Sequence, residues 1–73
     1  MSLKEFLKYI VHMQEYRIAV YDDNMNVLFT SEIIENDVYN RVNKDNEPYL
    51  EYKVIGIFST LKNYIEIAVQ EDK

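Results

Sequence analysis

Leu3, Phe6, Leu7 and Ile10 recur at positions i, i+3, i+4 and i+7, the spacing of one apolar helical stripe. Lys4, Glu5 and Lys8 take the other side, and Ser2 with Glu5 matches the S-x-x-E capping box, in which the two residues satisfy each other's orphan N–H groups. The pattern predicts a helix over residues 2–11, with Lys8 and His12 near its C-terminal end, where positive charge is favourable. Residues 16–21 switch to a period of two: Ile18 and Val20 share one face, Arg17, Ala19 and Tyr21 the other. Residues 27–30 predict a second strand. The turn formers Asp22, Asp23, Asn24 and Asn26, with Met25 among them, lie between the two runs and predict a hairpin. No glycine is present there, so Asn24 or Asn26 is expected to supply the left-handed residue, since a short amide tolerates positive φ.

Ile34, Val38 and Val42 recur every four residues with Tyr39 beside them, which predicts a short helix over about 36–43. Its propensity is poor, because Asn and Asp compete for the backbone. A polar loop follows over 43–48, and Pro48 is expected to end any helix before it. Val54, Ile55, Ile57 and Phe58 are apolar on both faces, as in a covered central strand. Gly56 within it predicts a bulge or the close approach of a neighbouring ring. A turn over 59–63 leads to a last strand with Ile65, Ile67 and Val69 inward and Glu66, Ala68 and Gln70 outward. Glu71, Asp72 and Lys73 are expected to fray.

These elements predict one α+β domain over residues 1–73, in the order α-β-β-α-β-β. The expected sheet is four-stranded and antiparallel, with the N-terminal helix on one face. Ile18, Val20, Ile55, Ile57, Ile65, Ile67 and Val69 should meet Phe6, Leu7 and Ile10 in the core. Val54 and Phe58 compete with Ile55 and Ile57 for the helix side.

Length and composition limit how such a domain is stabilised. At 73 residues it buries a low fraction of its surface. There is no cysteine for a disulfide or thiolate site, and one histidine is too few for structural zinc. An efficient core or self-association remains, and the chain is 48% hydrophobic with a single Gly and a single Pro. One helix shields only one face of a strand that is apolar on both, so a homodimer is expected. In a monomer, Val38, Tyr39 and Val42 would instead pack against Val54 and Phe58. Apolar runs are far too short to span a bilayer, and Lys4, Glu5 and Lys8 interrupt any signal-peptide core. A cytoplasmic protein without membrane association is expected.

The formal net charge is −5. Between Glu15 and Glu51 nine acids face only Arg17, Arg41 and Lys44, a surface that repels phosphate backbones and argues against direct nucleic-acid binding. Solubility accounts for such charge first; a basic protein partner is the sharper reading. No catalytic constellation appears: there is no P-loop, no G-x-G-x-x-G and no histidine pair. His12 reads as a solvated residue. Asp22, Asn24 and Asn26 match the start of a calcium loop, but Val27 replaces its glycine and Ile33 its bidentate glutamate. No enzyme activity and no cofactor are expected. The seven tyrosines are the most unusual feature. Tyrosine suits half-buried strand faces, and it also suits contact surfaces. Tyr21, Asp22, Asp23, Tyr49, Glu51 and Tyr52 are the candidate protein-interaction residues.

Residues 18–29, 49–58 and 64–69 follow an order of hydrophobic strand, acidic hairpin, strand, a V-I-x-I strand and a final strand. In this order the chain resembles short uncharacterised proteins of phages and prophages of low-GC Gram-positive bacteria. It departs from them where Met25 or Asn26 stands for the hairpin's usual glycine, and in a longer middle segment. A codon bias agrees with an AT-rich genome: Asn, Ile, Lys and Tyr supply 28 residues, while Ala, Gly, Pro and Arg supply six. The resemblance implies no catalytic residue. It implies a phage or mobile-element accessory protein acting by binding, a group that includes inhibitors of host nucleic-acid enzymes such as anti-CRISPR proteins. The expected function is a non-catalytic interaction module, with an acidic inhibitor of a basic host protein as the alternative.

Overall fold

The capping box forms as the sequence predicts. Glu5 N–H donates to Ser2 Oγ at 3.1 Å and Ser2 N–H to Glu5 Oε1 at 3.4 Å. The structure, a computed structural model, describes residues 1–59 and 62–72. The helix that the box opens, α1 (Leu3–Phe6), is much shorter than expected. Its last turn tightens through Lys8 N–H to Glu5 O and Tyr9 N–H to Phe6 O, the i→i+3 pattern of a terminating helix. Farther on, Asn36 Nδ2 arrives from a distant segment and donates to Ile10 O at 3.0 Å and Val11 O at 3.1 Å. The apolar stripe is nevertheless used: Leu3 and Leu7 are buried, and Phe6 and Ile10 pack against the core.

Among the described residues five strands form one sheet: β1 (Glu15–Tyr21), β2 (Val27–Thr30), β3 (Ile34–Glu35), β4 (Lys53–Ser59) and β5 (Tyr64–Gln70). The order is β2-β1-β5-β4, with β3 paired to β1. The sheet is mixed rather than wholly antiparallel, because β1 and β5 run parallel with Tyr16 opposite Ile65, Ile18 opposite Ile67 and Val20 opposite Val69. Two hairpins can be joined through any of their strands, and side-chain alternation carries no information about direction. Here they join through β1 and β5. That makes β4 an edge strand and β5 central, the reverse of what their hydrophobic patterns suggest. Alternating β5 tolerates the centre because its other face is also occupied. Glu66 pairs with Arg17 at 2.5 Å, and Ala68 is buried between Ala19 and Gly56 on the neighbouring strands.

The core lies on the α1 side of the sheet. Tyr16, Ile18, Val20, Ile67 and Val69 meet Leu3, Leu7 and Ile34 there, with Ile65 and Val54 packed against them. Ile55 and Ile57 do not join them, contrary to expectation. A register shift between Val54 and Gly56 displaces Ile55, so Val54 takes the inward place. Ile57 lies opposite Ile67, yet it is 42% exposed. The residues just before the short helix meet the start of β4, where Ser2 bridges Lys53 and Val54 N–H donates to Met1 O at 2.8 Å. Gly56 answers both of its expected roles: it follows the bulge, and a Cβ there would meet the Phe58 ring at 3.3 Å.

No helix forms over residues 36–43. Side chains of Asp and Asn hold the backbone in turns instead. Tyr39 N–H donates to Asp37 Oδ1, Asn43 N–H to Asn46 Oδ1, and the N–H groups of Asp45 and Asn46 to Asn43 Oδ1. Pro48 lies inside a 3-10 turn, Glu47–Tyr49, where its fixed φ suits an N-terminal position. The packing of Val38, Tyr39 and Val42 on Val54 and Phe58 is not made: Tyr39 is 88% exposed and Phe58 54%. The expected 59–63 turn and frayed C-terminus fall partly on Thr60, Leu61 and Lys73, outside the described residues. Among the described residues no helix is long and apolar enough to cross a membrane.

Candidate functional site

The β1–β2 turn is closed by the first of its acids. Asp22 Oδ1 accepts from Asn24 N–H at 2.9 Å and from Asn26 N–H at 2.8 Å, and Oδ2 accepts from Asn26 Nδ2 at 3.3 Å. The Asn26 backbone N–H above all, with the Asn26 amide and Asn24 N–H, holds the Asp22 carboxyl below its usual range. Met25 N–H donates to Asp22 O, and Met25 itself takes the left-handed conformation with φ 64°. The expectation that Asn24 or Asn26 would do so fails, because both asparagine N–H groups are drawn to the Asp22 carboxylate. Gln70 Nε2 donates to Asp22 O at 2.7 Å and ties the turn to β5.

The turn delivers β2, whose four residues are all exposed. Leu28 is 64% exposed, on a strand with β1 on one side only. The strand stops at Ser31 because that side chain replaces a backbone partner. Ser31 Oγ accepts from Ile18 N–H at 2.9 Å and donates to Glu32 O at 2.8 Å. Pairing with β1 resumes only at β3.

Beside this edge the crossover loop is pinned by a buried side chain. Asn46 is fully buried, and its Nδ2 donates to Tyr16 Oη at 2.9 Å and Arg41 O at 2.7 Å. Burial raises the Tyr16 phenol above its usual pKa, although the Asn46 bond opposes the shift. The network sets Tyr49 against β2, where its ring stacks with Phe29 at 5.6 Å and meets Tyr52 edge-on at 5.3 Å. Two clefts flank this aromatic ridge. One, of about 210 Å³, lies between Phe29, Thr30 and Glu32 on the strand side and Lys44, Asp45, Pro48 and Tyr49 on the loop side. The other, of about 130 Å³, is bounded by Tyr21, Asp22, Asp23, Leu28, Tyr52 and the end of β5.

Four of the six residues singled out in the sequence, Tyr21, Asp22, Asp23 and Tyr52, therefore surround one cleft, and Tyr49 lines its neighbour. Glu51 is exposed and lines neither. Leu28, Phe29 and Pro48 were not singled out. For Leu28 and Phe29 the apolar run of residues 27–29 was visible in the sequence, but its place on a sheet edge was not. His12 is exposed, accepts from Val38 N–H through Nδ1 at 3.3 Å, and lies edge-on to Tyr39.

Charge is one-sided along the edge. Residues 22–35 include Asp22, Asp23, Glu32 and Glu35 and no Lys or Arg. Aromatic walls with carboxylates at the rim suit apolar side chains flanked by cations. The chain matches no protein-family model, no curated protein and no solved structure.

Proposed function

We propose that this protein is a non-catalytic interaction module of the cytoplasm that binds a partner protein through the β2 edge and the aromatic clefts beside it. One observation carries the reading: β2 is exposed along its whole length, with Phe29 stacked on Tyr49 beside a cleft. Proteins commonly shield such edges, and here the β4 edge is partly shielded, by Met1 and Ser2. Aromatic side chains at a water-facing cleft are the usual anchors of protein contacts. Two polar groups near the clefts have structural tasks that support a binding rather than a catalytic role: the Asp22 carboxylate closes its own turn, and the Tyr16 hydroxyl lies beneath the loop. The test is photo-cross-linking in the source cells from a reactive side chain at position 28, with position 8 as control. One partner protein should be captured at 28 and not at 8; equal capture at both, or none, would refute the assignment.

A second reading is favoured by the acids of residues 22–35 and the net charge of −5. A phage or mobile-element accessory protein could use them to occupy the basic groove of a host nucleic-acid-binding protein. Duplex DNA would then displace the captured partner, whereas a partner held by the β2 edge and its aromatic clefts would stay.

Self-association belongs to the same proposal. Beyond the part of β4 that Met1 and Ser2 cover, Ile55, Ile57 and Phe58 are exposed, and residues 55–59 carry no charge. Two copies can pair there about a two-fold axis without like charges meeting. Light scattering over a concentration series should approach twice the monomer mass; an unchanged monomer mass would remove the dimer.

A further inference from the structure

The backbone at the β2 edge indicates what kind of segment binds there. Ser31 N–H donates to Ile18 O at 2.8 Å, and Thr30 and Phe29 lie opposite Ala19 and Val20. In an antiparallel pair, bonded and non-bonded positions alternate. Ser31 is a bonded position, so Thr30 is the non-bonded one, and its N–H and C=O turn away from β1. Thr30 also lines the 210 Å³ cleft. An incoming strand would therefore find backbone partners and a pocket at the same residue. Its side chains would alternate between the two faces, and those on the Phe29 side would enter the cleft beside Tyr49 and Pro48.

Charge selects the occupant. Asp22 and Asp23 stand at one end of β2 and Glu32 and Glu35 beyond the other, with no Lys or Arg between them in the chain; across the cleft Lys44 is accompanied by Asp45, so the acids of the edge outnumber the cation. A second copy paired antiparallel through β2 would bring the acidic turn of each chain against Glu32 of the other. Like charges so placed oppose pairing. A strand flanked by Lys or Arg is complementary at both ends. We propose that the β2 edge accepts an extended, basic segment of a partner protein as a sixth strand of the five-stranded sheet. This inference rests on the reading that β2 is the interaction edge.

The test is an NMR titration with a synthetic nine-residue peptide: two lysines at each end and alternating valine and threonine between. A second peptide carries glutamate in place of lysine. The basic peptide should shift the amides of residues 27–30 and slow hydrogen exchange at Thr30. It should bind at least about tenfold more tightly than the acidic one, and weaken as salt is raised. Thr30→Pro removes the outward N–H without touching the β1 ladder, a place where an edge strand tolerates proline. Its β5 amide spectrum should be unchanged, showing that the fold is kept, and peptide binding should fall at least about tenfold. Thr30→Val, which keeps the N–H, should bind normally. Should Thr30→Pro disturb the β5 amides, the basic peptide N-methylated at its central residues serves instead, and its loss of binding is the expected result. Undiminished binding by a folded Thr30→Pro or by the N-methylated peptide overturns strand addition. So does equal binding of the acidic peptide, protection of Thr30 by raised protein concentration alone, or no binding at millimolar basic peptide. If cross-linking from position 28 still captures a partner, the interaction edge stands and only the strand-addition inference falls; if it does not, both fall.

Discussion

The central strands and the crossover segment over residues 36–52 hold the same fold together by opposite means. On the core face between β1 and β5 the contacts are apolar and in register: Ile18, Ile67 and Val69 are fully buried. Burial is non-directional and tolerates small adjustments. The crossover has only the Glu47–Tyr49 turn as regular structure. It is tied down by directed bonds, from Asn46 to Tyr16 Oη, Asn36 to the Ile10 and Val11 carbonyls, and Arg41 Nε to Leu7 O at 3.2 Å. A helix in this position would satisfy its own backbone. This segment combines isolated backbone turns with side-chain bonds, and each buried side-chain partner that is lost leaves an unsatisfied group. The proposed interaction surface lies where the two regimes meet: Phe29 comes from the sheet, and Pro48 and Tyr49 come from the loop that the asparagine bonds help to hold.

Deleting part of the apolar region should do the most damage. Ile67→Ala is expected to cost about 2–5 kcal/mol, the usual range for such a buried change. Small domains often have little more stability than that. The variant should be largely unfolded by circular dichroism, and a melting temperature close to the parent's would contradict the dominance of the β1–β5 core. Asn46→Ala should cost less, about 1–3 kcal/mol, because it removes the amide that donates to the Tyr16 hydroxyl and Arg41 O. Its damage should also be local. Hydrogen exchange should quicken over residues 41–50 and stay slow in β1 and β5. Acceleration across the whole sheet would erase the contrast between the two regions.

The same contrast explains what could be read in the chain. The capping box, the first hairpin, the inward set of Ile18, Val20, Ile67 and Val69, and the ring against Gly56 were legible, because each depends on local spacing or period. Strand direction was not, since alternation looks the same in parallel and antiparallel pairs. The centrality of β5 was hidden for a related reason: Glu66 and Ala68 read as outward residues, yet Arg17 and two small neighbours cover them. The missing middle helix was half legible. The poor propensity of its Asn and Asp residues was evident, but the targets of Asn46, which lie as far off as Tyr16, were not. At the candidate site the tyrosines and turn acids were found by composition. Leu28 and Phe29 were missed because their importance comes from lying on an edge, which only topology reveals.

Raising the pH probes the seam between the regions. Burial of Tyr16 lifts its pKa above the ordinary value of 10.0. A raised phenol contributes stability in full below the unfolded value, and that contribution is lost as the pH rises through the folded value. Stability should therefore fall above about pH 10, with ionisation of one tyrosine delayed in an ultraviolet absorbance titration. Tyr16→Phe should abolish the delayed step. If the delayed step persists in that variant, the buried phenol is not its source.

Acid tests the smallest structural unit, the β1–β2 turn, which uses the crossover's kind of bond on an exposed site. The folded pKa of Asp22 is lowered from 3.8, chiefly by the Asn26 backbone N–H. A depressed carboxyl contributes stability above its unfolded pKa and loses it as the pH falls through the folded value. The loss should appear below about pH 4. It should be confined to the tip, because the bonds involved join only Asp22, Asn24 and Asn26. An NMR pH titration should show the Asn24 and Asn26 amides moving together with the Asp22 carboxyl, while the β5 amides stay still. Asp22→Asn keeps one acceptor oxygen but not the charge, so it should remove that titration and leave the β1–β2 pairing intact. If β1 itself unravels in acid at the Asp22 transition, the turn is holding the sheet in register, and its dependence on side-chain bonds reaches as far as that of the crossover.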